Sequence, residues 1–469
     1  FPSLSLRWNI IDEPWMKWSE DKIKLSMLSF RPGWGMTGQQ PGSEYLHYAT
    51  YDTKGQYMGI TSMAQTGLML TGLKWAKKSE YNLGADFGFF NDKLTGGFNY
   101  YDNTTTDQLM GGYAIPSSNG YSTLAYKNTG AVRNYGWELN LNGNKILEFG
   151  KFAVSVYANL SQNYNTILEM EESVLNNANE DFNYANGSYL TRIQIGNPLG
   201  SIYGFKYKGV YHYNYNTNWS RDQWADAKLR AEEQGYQLHD LYPVACDDQG
   251  NTLYGSDGKP LRMVYNYKDG KITYPFRGGD AIYEDINKDG NINELDIVYL
   301  GNSNPKLQGG FGVKFQYKRI TLNTQFPPRY GVDVVNKARM NVENMHTNNN
   351  QSYAVNWRWR KEGDGLEQPC LPRALYNTGY NWLGSDRYLE DASYLRMSYL
   401  QLSYSVDPNI LKKYGINQLS LSGSANNLFI LSKYTGLDPE IGADSWGRAF
   451  DGSPTPRSRS FTLSLTLGF

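Results

Sequence analysis

Long apolar runs are missing from this 469-residue chain. None approaches the ~20 residues that a membrane-spanning helix needs, so helical membrane proteins are excluded and any crossing must be made by strands that close on themselves. An excess of one charge is missing too: 45 Lys and Arg stand against 46 Asp and Glu, with both signs interspersed. No basic face for nucleic acid is visible, and that partner class drops out. Cysteine is scarce. Cys246 and Cys370 are far apart and fit no metal-ligand spacing, so they read as two plain thiols, with a surface disulfide in an oxidising compartment as the alternative. The four histidines, His47, His212, His239 and His346, are scattered, with no metal spacing and no nucleophile motif beside them. Glu171 and Glu172, and Glu232 and Glu233, are adjacent rather than spaced as a glycosidase acid and base would be. The expectation is that the chain is not an enzyme. The sequence opens at Phe1 without a charged, apolar, cleavable leader, so nothing at this end indicates a route of export.

What is abundant is Tyr (39), Gly (48) and Trp (12), on an ordinary apolar fraction of 40%. That suits strands with one greasy and one wet face, and low overall hydropathy is no argument against a membrane. The primary signal is apolar–polar alternation over runs of about nine to eleven residues, the length of a tilted membrane strand. Tyr81, Leu83, Ala85, Phe87 and Phe89 alternate, Asn91, Asp92 and Lys93 supply a turn, and Leu94, Phe98 and Tyr100 resume on the way back. The grammar recurs in Tyr135, Trp137, Leu139 and Leu141 answered by Phe152, Val154, Val156, Ala158 and Leu160. A third pair sets Phe311, Val313, Phe315 and Tyr317 against Ile320, Leu322 and Phe326. At the end of the chain Phe461, Leu463, Leu465, Leu467 and Phe469 share one face, Thr462, Ser464 and Thr466 the other.

Short turns in outer-membrane barrels lie on the periplasmic side and long loops outside, so turn length orients each strand. Strands run down before turns near Asn91, Lys145, Gly196 to Pro198, Lys318 and Pro408, and down again to Phe469. This predicts an all-β, transmembrane antiparallel barrel portion over residues 1–469 with about thirteen strands. An odd count cannot close a complete single-chain barrel, so the expectation is that the first strands lie ahead of Phe1. The segments Gly33 to Ser79, His212 to Lys306, Pro327 to Ser393 and Leu431 to Pro456 become extracellular loops. Within the longest, Ser220 and Gln223 form a capping-box pattern and good helix formers run from Asp222 to Gln234, predicting a surface helix.

Particular stretches stand out in order along the chain: Leu73-Lys74-Trp75 with Tyr81 to Phe90 and Leu94 to Leu109, Gly301-Asn302-Ser303-Asn304-Pro305, and Tyr330-Gly331 followed by Asn336 and Ala338. Leu389 to Tyr404, Asn426-Asn427-Leu428-Phe429 and Tyr434-Thr435-Gly436-Leu437-Asp438-Pro439-Glu440 follow. In sequence and in order these stretches resemble SusC/RagA-like TonB-dependent transporters. The resemblance implies a 22-stranded barrel in the outer membrane of a Gram-negative, Bacteroidetes-type bacterium. It also implies an N-terminal plug, TonB as energy source and a SusD-like lipoprotein as lid. This sequence departs from that pattern in lacking the plug, the TonB-contacting segment and the first strands. The cargo the family implies is an oligosaccharide, with peptide import as the alternative and a passive porin-like barrel as a rival of another class.

Two motifs remain for binding. Asp285, Asn287, Asp289, Gly290, Asn291 and Asp296 occupy the first, third, fifth, sixth, seventh and twelfth places of an EF-hand-like loop, predicting calcium, with Asp296 in place of the usual bidentate Glu. An Asx-rich turn needing no metal is the alternative. Exposed-looking aromatics crowd the loops: Trp219, Trp224, Trp357, Trp359, Tyr376, Tyr380, Trp382 and Trp446. Such rings stack on sugars, anchor at interfaces or contact a partner protein. Trp357, Trp359 and Trp382 are the expected group for ligand or lid contact.

Overall fold

The computed structural model describes the chain except residues 41–43, 122, 173–174, 176–178, 180–184, 191, 212–228, 230–232, 234–242, 268–269, 362–363 and 365–367. The helix expected from Asp222 to Gln234 therefore lies, but for Leu229 and Glu233, outside the described residues, as do Trp219, Trp224, His212 and His239.

Alternation becomes a single curved wall. Its strands in chain order are β1 (Ser3–Ser5), β2 (Trp8–Asn9), β3 (Leu25–Gln39), β4 (Ala76–Phe89), β5 (Leu94–Thr106), β6 (Ala131–Phe149) and β7 (Phe152–Glu169). They continue as β8 (Leu307–Tyr317), β9 (Ile320–Gln325), β10 (Pro328–Tyr330), β11 (Tyr394–Ser405), β12 (Gln418–Ser432) and β13 (Ser460–Gly468). Neighbours pair antiparallel in the order β1, β3, β4, β5, β6, β7, β8, β9, β11, β12, β13, with β2 against β3 and β10 bridging β8 and β11. The edges of this sheet are β1 and β13.

Register carries the apolar rows across the wall and shifts only at local irregularities, as after Gly143 and between Met397 and Tyr399. Leu83 faces Tyr100 and Ala85 faces Phe98; Phe98 then faces Leu139 and Tyr100 faces Trp137. Leu139 meets Leu160, and Val154 meets Phe315. Because side chains alternate with a period of two, one matched pair per strand places the whole row on one face. On that face Phe461, Leu463 and Leu465 are 74%, 77% and 68% exposed. Side chains of this kind left outside any core identify the lipid-facing surface of a barrel.

Three findings differ from the expectation. The turn at Gly196 to Pro198 is not a barrel turn: β7 pairs directly with β8, and the residues between them leave the wall. Among the described residues the two strands expected around that turn are not part of the sheet. The sheet does hold thirteen strands, but that number includes the short β1, β2 and β10 and not the expected pair. Second, the tip between β6 and β7 is not at Lys145; β6 continues through a bulge after Gly143 until Phe149 faces Phe152. The unpaired residues of a bulge break the alternation that would have signalled a strand. Third, the loops have other limits: 40–75 rather than 33–79, because β3 runs to Gln39, and 170–306 rather than 212–306.

The excursions at the open end knit into a cap with cores of its own. Strand Ser201–Gly204 pairs with Val298–Asn302, Tyr207–Val210 with Ala281–Tyr283, and Asp333–Val335 with Leu389–Asp391. Phe205, Tyr265, Phe276, Ile292 and Leu383 fill one core; Ile202, Val335, Met340, Trp382 and Tyr388 fill a second. Segments far apart in sequence are bonded across these cores, as where Phe205 N–H donates to the Gly384 carbonyl at 2.9 Å.

Candidate functional site

The inward row of the wall is mainly amides, hydroxyls and glycines, with Arg31, Asp86, Glu138 and Lys314 set among them. Asp86 faces Gly97, Gly97 faces Asn140 and Asn140 faces Asn159. Further round, Asn323 faces Gln401, Gln401 faces Ser424 and Ser424 faces Thr462. The charges set into this row include Arg31 and Asp86, which neutralise each other through two bonds of 2.8 Å, and Arg31 also reaches Asn99 at 3.3 Å. A cavity of about 570 Å³ opens beside this group, lined by Arg31, Asp86, Asn99, Asn140 and Asn159 among others. Its walls offer amide and hydroxyl hydrogen bonds with little fixed charge.

Buried ion pairs hold the cap. The Asp280 carboxylate, fully buried, accepts from Arg373 Nε at 2.6 Å, from Tyr274 Oη at 2.9 Å and from the Arg277 amide at 2.9 Å. Glu343 takes Arg339 at 2.9 Å and Arg387 at 3.1 Å. Asn336 caps the helix Lys337–Glu343 by accepting from Arg339 N–H, and donates to Glu390 and Thr435. Arg396, at the top of β11, binds Asp438 at 2.6 Å. The stretches around Asn302, Asn336, Leu389 and Tyr434, which resemble the family, join segments of the cap to one another.

The loop 285–296 adopts the bend its spacing requires, with Gly290 in the left-handed region at φ +79°. The bend does not gather an oxygen cage. Asp285 accepts from Asp289 N–H at 3.3 Å and Gly290 N–H at 2.8 Å, and Asp289 accepts from Asn291 N–H at 2.7 Å and Asn287 Nδ2 at 2.9 Å. Asp296 accepts from Ile286 N–H at 2.7 Å and Asn293 N–H at 2.9 Å. Each of these carboxylate oxygens is thus met by a donor of the loop itself. Among the described residues no three His, Cys, Asp or Glu side chains converge as metal ligands. Asx turns, the alternative reading of the motif, are formed at Asn287 and Asp289, whose side chains accept from the N–H two residues on at 3.3 and 2.7 Å. Burial pushes the Asp296 carboxyl up to about 6, with Asp285 and Asp289 adding repulsion; burial likewise raises Asp285.

The three tryptophans separate. Trp382 is 1% exposed and sits in the second core, so its faces are covered and it is a packing residue rather than a stacking platform in this conformation. Trp359 lies half-buried with its ring over Gly279. Trp357 alone of the three is open, 52% exposed, and meets Tyr353 edge-to-face at 4.7 Å on the 3-10 turn Tyr353–Trp357. Sequence spacing could not sort them, because Trp382 is buried by Ile202 and Val335, residues contributed from far away. Cys246 and Cys370 are both free, and burial pushes each thiol up to about 11.

Against this geometry the comparisons are decisive for the family. The profile described as "TonB dependent receptor-like, beta-barrel" matches residues 1–245, just over half of the chain. The chain belongs to this family. Over its whole length it is 28% identical to TonB-dependent receptor P39 of Formosa agariphila and 27% identical to TonB-dependent receptor SusC of Bacteroides thetaiotaomicron. It spans 42% and 40% of those proteins, less than half of the curated relatives it matches. The solved RagAB peptide transporter aligns with the whole chain at a TM-score of 0.67 and 20% identity, over 43% of that neighbour's chain. The RagAB "open-open" state gives 0.68. The fold likeness and the relatives agree with the SusC/RagA-like resemblance, and the wall is that of an outer-membrane β-barrel.

Proposed function

We propose that this chain forms wall and external mouth of a TonB-dependent importer that carries oligosaccharides across the outer membrane of a Bacteroidetes-type bacterium. The observation that carries the cargo is the inward wall, where amides and hydroxyls dominate and the Arg31 and Asp86 charges cancel. Neutral polyols exchange hydrogen bonds with such a surface at little electrostatic cost, whereas charged peptide termini need fixed counter-charges. Trp357 with Tyr353 supplies an exposed aromatic platform on the cap, suited to a sugar ring or to a SusD-like lipoprotein lid. A plug and the contact with TonB belong, in this reading, to the length of the relatives that the chain does not span.

Native mass spectrometry of the complex extracted gently from outer membranes tests the proposal. A lipoprotein partner with hexose- or pentose-spaced ligand masses is the expected result. A spread of peptide masses would replace the cargo and favour the kind of transport for which the RagAB neighbour is named. A barrel with neither partner nor ligand would overturn the importer reading.

A further inference from the structure

Above Ser161, strand β7 has no sheet neighbour on the side of β8 among the described residues, because pairing with β8 stops at Gln308. The 196–199 turn takes over part of the gap: Gly196 N–H donates to the Ile167 carbonyl at 2.8 Å, and Leu199 N–H to Asn165 Oδ1 at 2.8 Å. What stays open is a cleft of about 420 Å³ between the rim of the wall and the cap. It is separate from the luminal cavity and from the Trp357 platform.

Its chemistry is particular. Tyr135 and Tyr164 on neighbouring strands stack at 5.4 Å, and Tyr164 is 42% exposed beside the cleft, with Tyr299 47% exposed on the cap side. Asn165 lines it from the wall. Asp333 lines it from the cap and accepts from Asn302 N–H at 2.9 Å. Among the described residues no ion pair holds this carboxylate, and no other side-chain or amide donor meets it. Burial raises its pKa while Lys306 lowers it, so the carboxylate is partly stripped of water and short of donors.

Ring faces for C–H contact, a primary amide and an acceptor-only carboxylate are together complementary to a neutral sugar, which offers a flat apolar face and vicinal O–H donors. Lys306 also lines the cleft and balances the Asp333 charge, so the site as a whole favours neither an anion nor a cation over a neutral ligand. We propose that this rim cleft is a second saccharide site, binding one pyranose ring between Tyr164 and Tyr299 with its hydroxyls on Asp333 and Asn165. The ring belongs either to a free oligosaccharide on its way to the mouth or to the headgroup of a glycolipid in the outer leaflet.

The test uses the protein as purified from outer membranes and ligand-observed saturation-transfer NMR. The probes are six methyl pyranosides: glucose, galactose, mannose, xylose, rhamnose and N-acetylglucosamine. Transfer to at least one is expected, falling at least fivefold in Asp333→Asn and in Tyr299→Ala and staying unchanged in Tyr414→Ala, an exposed tyrosine in the turn between β11 and β12. Both cleft variants must retain the native heat-modified gel mobility. No transfer to any probe, or equal transfer in the cleft variants, overturns the proposal. Competition with a free hexasaccharide of the bound sugar, or with bicelles carrying a glycolipid of that sugar, then distinguishes the two sources. Failure here is distinct from failure of the importer reading, which is decided by partner and ligand masses of the native complex.

Discussion

Replacing Asp280 with Ala should loosen the cap while leaving the wall intact. The Asp280 carboxylate is fully buried and ties Arg373, Tyr274 and the Arg277 amide together. Removing one partner of a buried ion pair typically costs about 3–5 kcal/mol, because the other charge is stranded. Arg373 keeps 24% of its side chain exposed, and water reaching it softens the loss to the lower end, about 3 kcal/mol. At 1.36 kcal/mol per factor of ten, that is roughly a hundredfold faster amide exchange wherever protection depends on cap opening. Hydrogen exchange with mass spectrometry should show this at Met263, Phe276 and Ala281–Tyr283, whose amides bond within the cap. Exchange in β6 and β7 should be unchanged. Asp280→Asn, which keeps an acceptor for Tyr274, should fall between the two, and Arg373→Met in the Asp280→Ala background should restore part of the protection. A change below fivefold in the cap, or equal loosening of β6 and β7, would refute the reasoning that this pair locks the cap as a separate cooperative unit.

Leu465→Arg on the lipid face should cost about 2–4 kcal/mol if it lies near the membrane midplane, while Ser464→Arg on the opposite face should cost far less; folding yield into lipid vesicles compares them. Trp382→Ala should destabilise the cap by about 3–5 kcal/mol through the cavity it leaves, read as faster proteolysis of the cap, whereas Trp357→Ala should leave proteolysis unchanged. Because the folded Asp296 carboxyl is raised to about 6, above the unfolded value of about 3.9, its protonation stabilises the fold below the unfolded value, and that contribution is lost as pH rises through 6. Amide exchange in loop 285–297 should therefore be slower at pH 4.5 than at pH 7 once corrected for intrinsic rates, and Asp296→Asn should abolish the difference. Calcium in the same loop is proposed by the residue spacing and opposed by its self-satisfied carboxylates. Protection from protease by 1 mM calcium, reversed by chelator, would show that the carboxylates turn to bind it, and no change would remove the metal reading.

The facing of the long strands was legible because a period of two is a local property: Leu83 and Phe98 declare their face without knowledge of any neighbour. Asn91-Asp92 marked their turn through residues that tolerate the left-handed region, which they adopt at φ +55° and +62°. The bend at Gly290 was legible for the same reason. Everything that depends on distant chain segments was not. Gly196 to Pro198 looks like a hairpin tip, and only the pairing of β7 with β8 shows that it docks on the rim. Trp357 and Trp382 are alike as letters, and burial by remote residues makes one a surface platform and the other a core. The rim cleft had no sequence signal at all, since Tyr164, Tyr299 and Asp333 meet only when three separate segments close over the unpaired end of β7. Local periodicity therefore determined the barrel wall and, with it, the family's architecture. Tertiary packing decided the cap, which side chains remain accessible on it, and where a ligand could rest.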